Sequence, residues 1–132
     1  MVTESAKEKP QGSFPVPDSG DIIWLDFNPA SGHEQHGSRP ALVVTPTAYN
    51  RASGLCFVLP ITSRGKGYPF EVALPSHLET SGFVPQGQRG FVLADQGRTV
   101  DWKARNASLT EKIPPDTLQK VRHLLKALFV LE

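Results

Sequence analysis

Short apolar runs separated by turn-forming residues dominate the chain after residue 20, and they constrain its fold most strongly. The runs are IIWLDF, PALVVTP, LCFVLPI, FEVAL and FVLAD, with clusters of Gly, Pro, Asn and Ser between them. Runs of this length, rich in β-branched and aromatic residues, are typical of strands. Because no long helical pattern separates consecutive runs, an antiparallel sheet is predicted and a parallel α/β fold is disfavoured. A further strand is expected near 99–102 or 104–109.

A helical period replaces this pattern at the end of the chain. After Pro114 and Pro115 the apolar residues recur every three or four positions: Leu118, Val121, Leu124, Leu125, Leu128 and Leu131. Such a stripe predicts an amphipathic helix with one face packed on the sheet. Proline suits a first helical turn, and Asp116 complements the positive end of the helix dipole. The predicted fold is a mainly β (α+β) half-barrel followed by one C-terminal helix.

The length of 132 residues suits one domain. Residues 1–19 are polar and rich in Pro, Gly and Ser, so we expect a flexible leader there and a single domain over 20–132. No apolar segment reaches the length of a signal peptide or a membrane span, which predicts a cytoplasmic protein without a membrane partner. The net charge of +1 excludes a global basic field, so any nucleic-acid binding must rest on a local patch.

The single cysteine, Cys56, lies in an apolar run and has no intrachain partner for a disulfide. We expect a buried core thiol rather than a nucleophile, because a reactive thiol needs exposure and a positively charged setting. The histidines are scattered and lack metal-ligand spacing. Neither a metal site nor a cofactor is therefore predicted.

The second and third apolar runs are predicted to pair as antiparallel strands. Pairing Pro46 with Leu55 places Arg39 directly opposite Thr62 at one end of the sheet. Their Cβ atoms would then lie roughly 4.5–5.5 Å apart. A guanidinium and a hydroxyl at that separation can bind one phosphate group. This pair is the core of the functional prediction.

The loop before Arg39 concentrates groups that transfer protons, since it holds Glu34, Gln35 and two histidines, one of them His36. Metal-free RNA cleavage by a 2′-hydroxyl needs a base and a group that stabilises charge on the transition state. Glu34 or a neighbouring histidine is the candidate base. Arg39 and Thr62 are the candidate charge stabilisers, because an ordinary arginine is a poor proton acceptor. On spacing alone, ordinary surface positions for these residues are the more frequent alternative.

Further groups around this end of the sheet suit nucleic-acid binding. Arg64 and Lys66 follow Thr62 and make the rim locally basic. Phe27, at the end of the first run, is a candidate for stacking on an unpaired base. The two tryptophans, Trp24 and Trp102, are expected to pack in the core or an interface instead.

Three segments together resemble the MazF/PemK family of toxin endoribonucleases, also called mRNA interferases. They are GDIIWLDFNPASGHEQHGSRPALVVTPTAYN, PITSRGKGYPFEVAL and VLADQGRTVDWKAR. The G-D-I-I-W start, the E-Q-x-G-x-R-P loop, the threonine after the third run, K-G-Y-P-F-E and the D-Q pair occur in the family's order with similar spacing.

The resemblance implies a small SH3-like antiparallel β-barrel of the MazF/CcdB toxin type with a C-terminal helix. It implies a homodimer that cleaves single-stranded RNA at short sequences without a metal, leaving 2′,3′-cyclic phosphate and 5′-hydroxyl ends. The family's catalytic arginine, threonine and glutamate fall on Arg39, Thr62 and Glu34. Positions near the family's RNA groove fall on Phe27, Gln35, Lys66 and Gln96.

Such toxins are held inactive by a cognate MazE-like antitoxin whose acidic, initially disordered tail occupies the RNA groove, which suits the basic rim. Two alternatives stay open. One is a CcdB-type toxin that inhibits DNA gyrase without enzymatic activity on the same fold, although the CcdB contact tryptophan near the C-terminus has no counterpart in LFVLE. The other is a barrel adaptor that binds a peptide.

Overall fold

The apolar runs form an antiparallel sheet in the structure, a computed structural model that describes residues 15–26, 38–78, 80 and 83–131. The elements of this part, in chain order, are β1 (Asp21–Asp26), β2 (Ser38–Val43), α1 (Thr47–Ser53), β3 (Leu55–Thr62), β4 (Glu71–Ala73), β5 (Phe91–Leu93), β6 (Arg98–Asp101), β7 (Ser108–Lys112) and α2 (Pro115–Phe129). Each predicted run contributes a strand. Of the two regions considered for a further strand, 99–102 lies mostly in β6, and 104–109 reaches only the first two residues of β7.

The strands follow the order β4-β5-β3-β2-β1-β7, and β6 pairs with the free half of β3. Every pairing is antiparallel. The predicted class, an antiparallel sheet with a C-terminal helix, is confirmed. The outermost strands β4 and β7 do not pair with each other in the described part, so the sheet stays open where the family resemblance implied a barrel. Only three residues of β4 pair with β5, which leaves little strand for closure.

The register of β2 on β3 is the predicted one. Ala41 pairs with Pro60, Leu42 with Leu59 and Val43 with Val58. Extending this register by two residues places Arg39 opposite Thr62. The connection between the strands differs from a hairpin turn, because the seven-residue helix α1 fills it. The ladder therefore ends at Val43 and does not extend to Pro46.

Apolar side chains pack on both faces of the sheet. Ile22, Leu42 and Leu59 belong to one cluster, against which the apolar stripe of α2 packs. Ile23 and Ala41, one position away in each strand, belong to the other cluster. Strand side chains alternate between faces, so a sheet buried on both sides reads as the continuous apolar runs seen in the sequence.

Two of the predicted core residues, Cys56 and Trp102, lie in the second cluster. Trp102 is buried, and its indole N–H donates to the main-chain oxygen of Asn50 at 3.1 Å. Cys56 is fully buried, and burial raises the pKa of its thiol to about 12, which keeps it protonated and unreactive. Trp24 is half-buried and packs edge to face on Phe83, with ring centroids 5.9 Å apart.

Asn50, in α1, is a fully buried hydrogen-bonding centre. Its amide N–H₂ donates to the main-chain oxygens of Pro17 at 2.8 Å and Thr45 at 2.9 Å. Its side-chain oxygen accepts from the Thr45 hydroxyl at 2.6 Å. The side chain thus joins the N-terminal segment, the end of β2 and α1, and its buried polar atoms are satisfied.

The segment just before β1 falls within the leader predicted over residues 1–19, and its described part packs on the rest of the chain. Pro17 is fully buried, Val16 packs against the second cluster, and the Asp18 carboxylate accepts the Thr47 N–H at 3.0 Å at the start of α1. The packed chain therefore begins by Val16, because Asn50 and α1 bind this segment. Residues 1–14 of the predicted leader lie outside the described residues, and the single-domain assignment of 20–132 stays a prediction.

The helix α2 begins with proline and Asp116 in its first turn, as predicted, and ends at Phe129. Its buried stripe includes Val121, with Leu118, Leu124 and Leu125 packed beside the first cluster. None of the helices in the described ranges has the length and apolar character needed to cross a bilayer.

Candidate functional site

Arg39 and Thr62 line one cavity of about 260 Å³ at an end of the β2–β3 pair. Both positions are fixed from two sides. Arg39 pairs with Leu25 on β1, and Thr62 pairs with Phe91 on β5, while β2 and β3 pair with each other. The floor of the cavity is apolar and includes Ala41, Val58, Pro60 and Val100. The structure therefore brings together the two residues that the predicted register placed opposite each other.

The Thr62 hydroxyl is oriented by the chain that follows it. Its oxygen accepts the backbone N–H of Arg64 at 3.1 Å, a local side-chain to backbone bond. A hydroxyl that accepts in this way keeps its own hydrogen for donation. Thr62 is therefore suited to donate to an anionic oxygen in the cavity.

A second cavity of about 240 Å³ adjoins the first and shares Thr62, Leu93 and Gln96 with it. Arg64 and Lys66 line the second cavity. Three residues predicted to bind RNA, Arg64, Lys66 and Gln96, thus lie beside Thr62. Together, these two adjoining cavities form the groove.

The loop that carries Lys66 is tied to the sheet at two points. The Glu71 carboxylate accepts the backbone N–H groups of Lys66, at 2.9 and 3.1 Å, and Gly67, at 3.2 Å. The Tyr68 hydroxyl donates to Asp95 at 3.0 Å. That hydrogen bond and the negative charge of Asp95 raise the pKa of Tyr68. The K-G-Y-P-F-E and D-Q motifs are therefore parts of one wall of the groove.

The described lining of the groove carries more positive than negative charge. The first cavity holds Arg39 and Arg98 and, among its described residues, no Asp or Glu. The second holds Arg64, Lys66 and the Glu71 carboxylate, which the backbone N–H groups already occupy. An apolar floor beneath cationic side chains favours an anion with apolar parts, such as a nucleotide.

Four sequence-predicted site residues, Phe27, Glu34, Gln35 and His36, lie in 27–37, outside the described residues. The described residues on either side of it, Asp26 and Ser38, are next to Leu25 and Arg39 in the β1–β2 ladder. Asp26 pairs with Ser38 on the β1–β2 ladder, and the Ser38 hydroxyl donates to the Asp26 carboxylate at 2.9 Å. The segment thus leaves and rejoins the sheet one residue from Arg39.

Arg98 is a groove residue that the sequence analysis missed. It begins β6, pairs with Val58 on β3 and lines the same cavity as Arg39. The signal was the spacing to Val100, because a residue two positions from a buried strand residue lies on the same face. Without the register of β6 on β3, that signal could not be connected to the site.

No grouping of three or more His, Cys, Asp or Glu suited to a metal ion occurs among the residues that the structure describes.

Residues 18–129 match a protein family described as PemK-like, MazF-like toxin of type II toxin-antitoxin system. Endoribonuclease toxin MazF from Escherichia coli K12 is 43% identical over 113 residues, which cover 86% of this chain and 94% of that protein. Endoribonuclease PemK from Escherichia coli is 38% identical over 108 residues, covering 77% of this chain and 74% of that protein.

The fold also matches solved structures. A MazE-MazF crystal structure from Deinococcus radiodurans superposes with a TM-score of 0.77 at 46% identity, covering 89% of this chain and 100% of that one. A crystal structure of MazF from the same organism gives a TM-score of 0.72 at 49% identity, covering 89% of this chain and 99% of that one. Sequence and fold therefore point to the same relatives.

Proposed function

The chain belongs to the PemK-like, MazF-like family of type II toxin-antitoxin toxins, and from this membership we propose that it is an endoribonuclease that cleaves single-stranded RNA in the groove. The observation that carries the proposal is the shared cavity of Arg39 and Thr62. A guanidinium and a hydroxyl donor facing one cavity suit the stabilisation of a phosphate that gains charge.

The proposed reaction needs no metal ion. The 2′-hydroxyl oxygen of one nucleotide attacks the adjacent phosphorus, and the bond from phosphorus to the 5′-oxygen breaks. The products are a 2′,3′-cyclic phosphate and a 5′-hydroxyl. Arg39 binds two of the phosphate oxygens through its planar fork, and Thr62 donates a hydrogen bond to one of them. Both interactions strengthen as negative charge accumulates in the transition state.

Proton transfer is assigned to the segment 27–37. Glu34 takes the proton of the attacking 2′-hydroxyl, and the departing 5′-oxygen takes a proton from water or from a protonated histidine of this segment. His36, two residues after Glu34 in the sequence, shares this proton transfer. The assignment is supported by Asp26 and Ser38, which flank the segment and are one position from the Leu25–Arg39 pair of the β1–β2 ladder.

The remaining groove residues bind the RNA strand. Arg64 and Lys66 contact phosphates, and the Gln96 amide hydrogen-bonds to a base edge. In the segment 27–37, Phe27 stacks on a base and Gln35 adds a polar contact. Base contacts of this kind make the cleavage selective for a short sequence.

Two protein partners are part of the proposal. The Deinococcus radiodurans relative was solved as a MazE-MazF complex. We propose that this chain is inhibited by a cognate MazE-like antitoxin whose acidic tail fills the groove, where the described charges are mainly positive. We also propose that the chain forms a homodimer.

The test is incubation of the purified protein with a long single-stranded RNA in excess chelator, followed by mapping of the cut ends. Discrete cuts with 2′,3′-cyclic phosphate and 5′-hydroxyl ends are expected, unchanged by the chelator. Intact RNA without chelator would refute the nuclease, and inhibition of DNA gyrase by the same sample would then establish the CcdB-type alternative. Cleavage that the chelator abolishes would refute metal independence alone.

A further inference from the structure

Arg98 shares the first cavity of the groove with Arg39, yet no motif assigns it a role. We infer that Arg98 is a second phosphate-binding residue, which holds an RNA phosphate other than the one that is cleaved. The inference rests on the proposed function, because it extends the RNA path through the same groove.

The strand registers place Arg98 on the face that carries Arg39. Arg98 pairs with Val58 on one side of β3, and Val58 pairs with Val43 on the other side. Directly paired residues share a face, as do residues two positions apart in one strand. Since Arg39 lies four positions before Val43, both arginines stand on the same face of the sheet.

The backbone positions of the two arginines lie far apart on this face. Along β3, the position opposite Arg98 is four residues from Thr62, or roughly 13 Å. Across the sheet, β6 and β2 flank β3, which adds about 10 Å between their backbones. The extended β2–β3 register puts Arg39 opposite Thr62, whereas Arg98 lines the same cavity from its far side. It is therefore placed to bind the next part of a strand that already contacts Arg39.

The surroundings of Arg98 suit a ligand contact better than a packing role. Its neighbour Val100 is buried, whereas Arg98 is exposed above a floor that includes Val58 and Pro60. An arginine fork matches phosphate oxygens in geometry and charge.

The experiment measures RNA binding as a function of salt. The probe is a single-stranded RNA oligonucleotide that contains the mapped cut site and has a 2′-deoxy sugar at the attacking position, which prevents cleavage. The variants are Arg98→Gln and Arg98→Lys. The matched control is Arg51→Gln, which removes the same charge from α1, at the opposite end of the β2–β3 pair.

Arg98→Gln is expected to weaken binding about tenfold at moderate salt, as for the loss of one charged hydrogen-bonded contact. It should also reduce the slope of log affinity against log salt by about 0.7, the change for one phosphate contact on a single strand. Arg98→Lys should keep the parental slope, because it keeps the charge, but bind more weakly than the parent. Arg51→Gln should match the parent.

With cleavable RNA, Arg98→Gln should raise KM about tenfold and leave kcat unchanged.

The inference is overturned if Arg98→Gln and Arg51→Gln show the same affinity and salt slope. It is also overturned if Arg98→Gln lowers kcat while the salt slope stays parental, since a purely structural role would do that. Thermal unfolding of each variant establishes that it is folded. Should the parent cut no RNA, so that no cut site can be mapped, the same binding measurement is made with a single-stranded RNA of mixed sequence. The predicted Arg98 dependence with that probe would leave the phosphate site standing while the proposed nuclease is refuted.

Discussion

The two ends of the β2–β3 pair use their polar side chains in opposite ways. At the α1 end, the fully buried Asn50 directs its side-chain groups to atoms of Pro17 and Thr45. At the groove end, Arg39 is exposed and the Thr62 hydroxyl keeps a hydrogen to donate. The same pair of strands supports both ends, so the difference lies in what surrounds them.

This contrast separates residues that stabilise the fold from residues that act on a ligand. Removing a buried group whose partners are other protein atoms leaves those partners unsatisfied, which lowers stability. Removing an exposed group that faces a cavity leaves the fold intact and affects whatever binds there. Substitutions at the α1 end should therefore change the free energy of unfolding, and those at the groove end should change RNA cleavage.

The largest effect is expected for Arg39→Ala and Thr62→Ala at the groove end. Each variant should lower kcat for RNA cleavage by about 10²–10³, the usual loss for one transition-state donor. The free energy of unfolding should stay within about 0.5 kcal/mol of the parent. Single-turnover cleavage of a mapped oligonucleotide and urea unfolding measure the two quantities. Near-parental cleavage by both variants would remove the mechanism, and a large loss of stability would remove the contrast.

The next largest effect is expected for Asn50→Ala at the α1 end. Three side-chain hydrogen bonds to Pro17 and Thr45 are lost in a buried site, so the free energy of unfolding should fall by about 3 kcal/mol. Under conditions where the variant stays folded, kcat should equal the parental value. Gln119→Ala, on the exposed face of α2, is the control and should change stability little. An unchanged urea midpoint for Asn50→Ala would show that the buried network does not stabilise this end.

The sequence predicted those parts of the fold whose signals are local or strongly periodic. The alternating and apolar runs gave the strands, and the helical stripe gave α2. The helix α1 was missed because TAYNRAS has no apolar stripe and its start is bound by Asp18, which is distant in the chain. The packing of Pro17 was not predicted for the same reason, since its partner Asn50 is distant in the chain.

The candidate site, like the fold, has a part that the sequence predicted and a part that it did not. Arg39 and Thr62 were predicted together because two neighbouring strands with a clear apolar register place them opposite each other. Arg98 was missed because β6 pairs with β3 across an intervening loop and two short strands. No local pattern specifies that long-range register. The roles of Glu34 and His36 stay predictions, because 27–37 lies outside the described residues.

A smaller effect is expected at Tyr68, which hydrogen-bonds the loop of Lys66 to Asp95. Tyr68→Phe removes the hydrogen bond to Asp95, so KM for RNA should rise about fivefold, the equivalent of a net contribution near 1 kcal/mol. The value of kcat should not change, because Tyr68 positions Lys66 and does not touch the reacting atoms. Tyr49→Phe is a matched control, since Tyr49 is 44% exposed and Tyr68 is 45% exposed. Equal KM values for the two variants would show that the hydrogen bond between Tyr68 and Asp95 does not position the loop.

The smallest effect is expected at the start of α1, where Asp18 accepts the Thr47 N–H. Hydrogen bonds from Thr47 lower the pKa of the Asp18 carboxyl below its ordinary value of 3.8. The carboxylate therefore stabilises the fold above that value, and its contribution is lost as the pH falls through the lowered pKa. Asp18→Ala should cost about 1 kcal/mol near neutral pH, as for the loss of a helix cap.

Urea unfolding at neutral pH and at acidic pH, well below the ordinary carboxyl range, measures this difference between Asp18→Ala and the parent. The difference should narrow on acidification, because the parent also loses its charged cap. Asp116→Ala, in the exposed first turn of α2, provides the comparison with a carboxylate that acts through the helix dipole alone. A difference that widens in acid would mean that the protonated Asp18 stabilises the fold, and the α1 end would then depend on packing rather than on its hydrogen bonds.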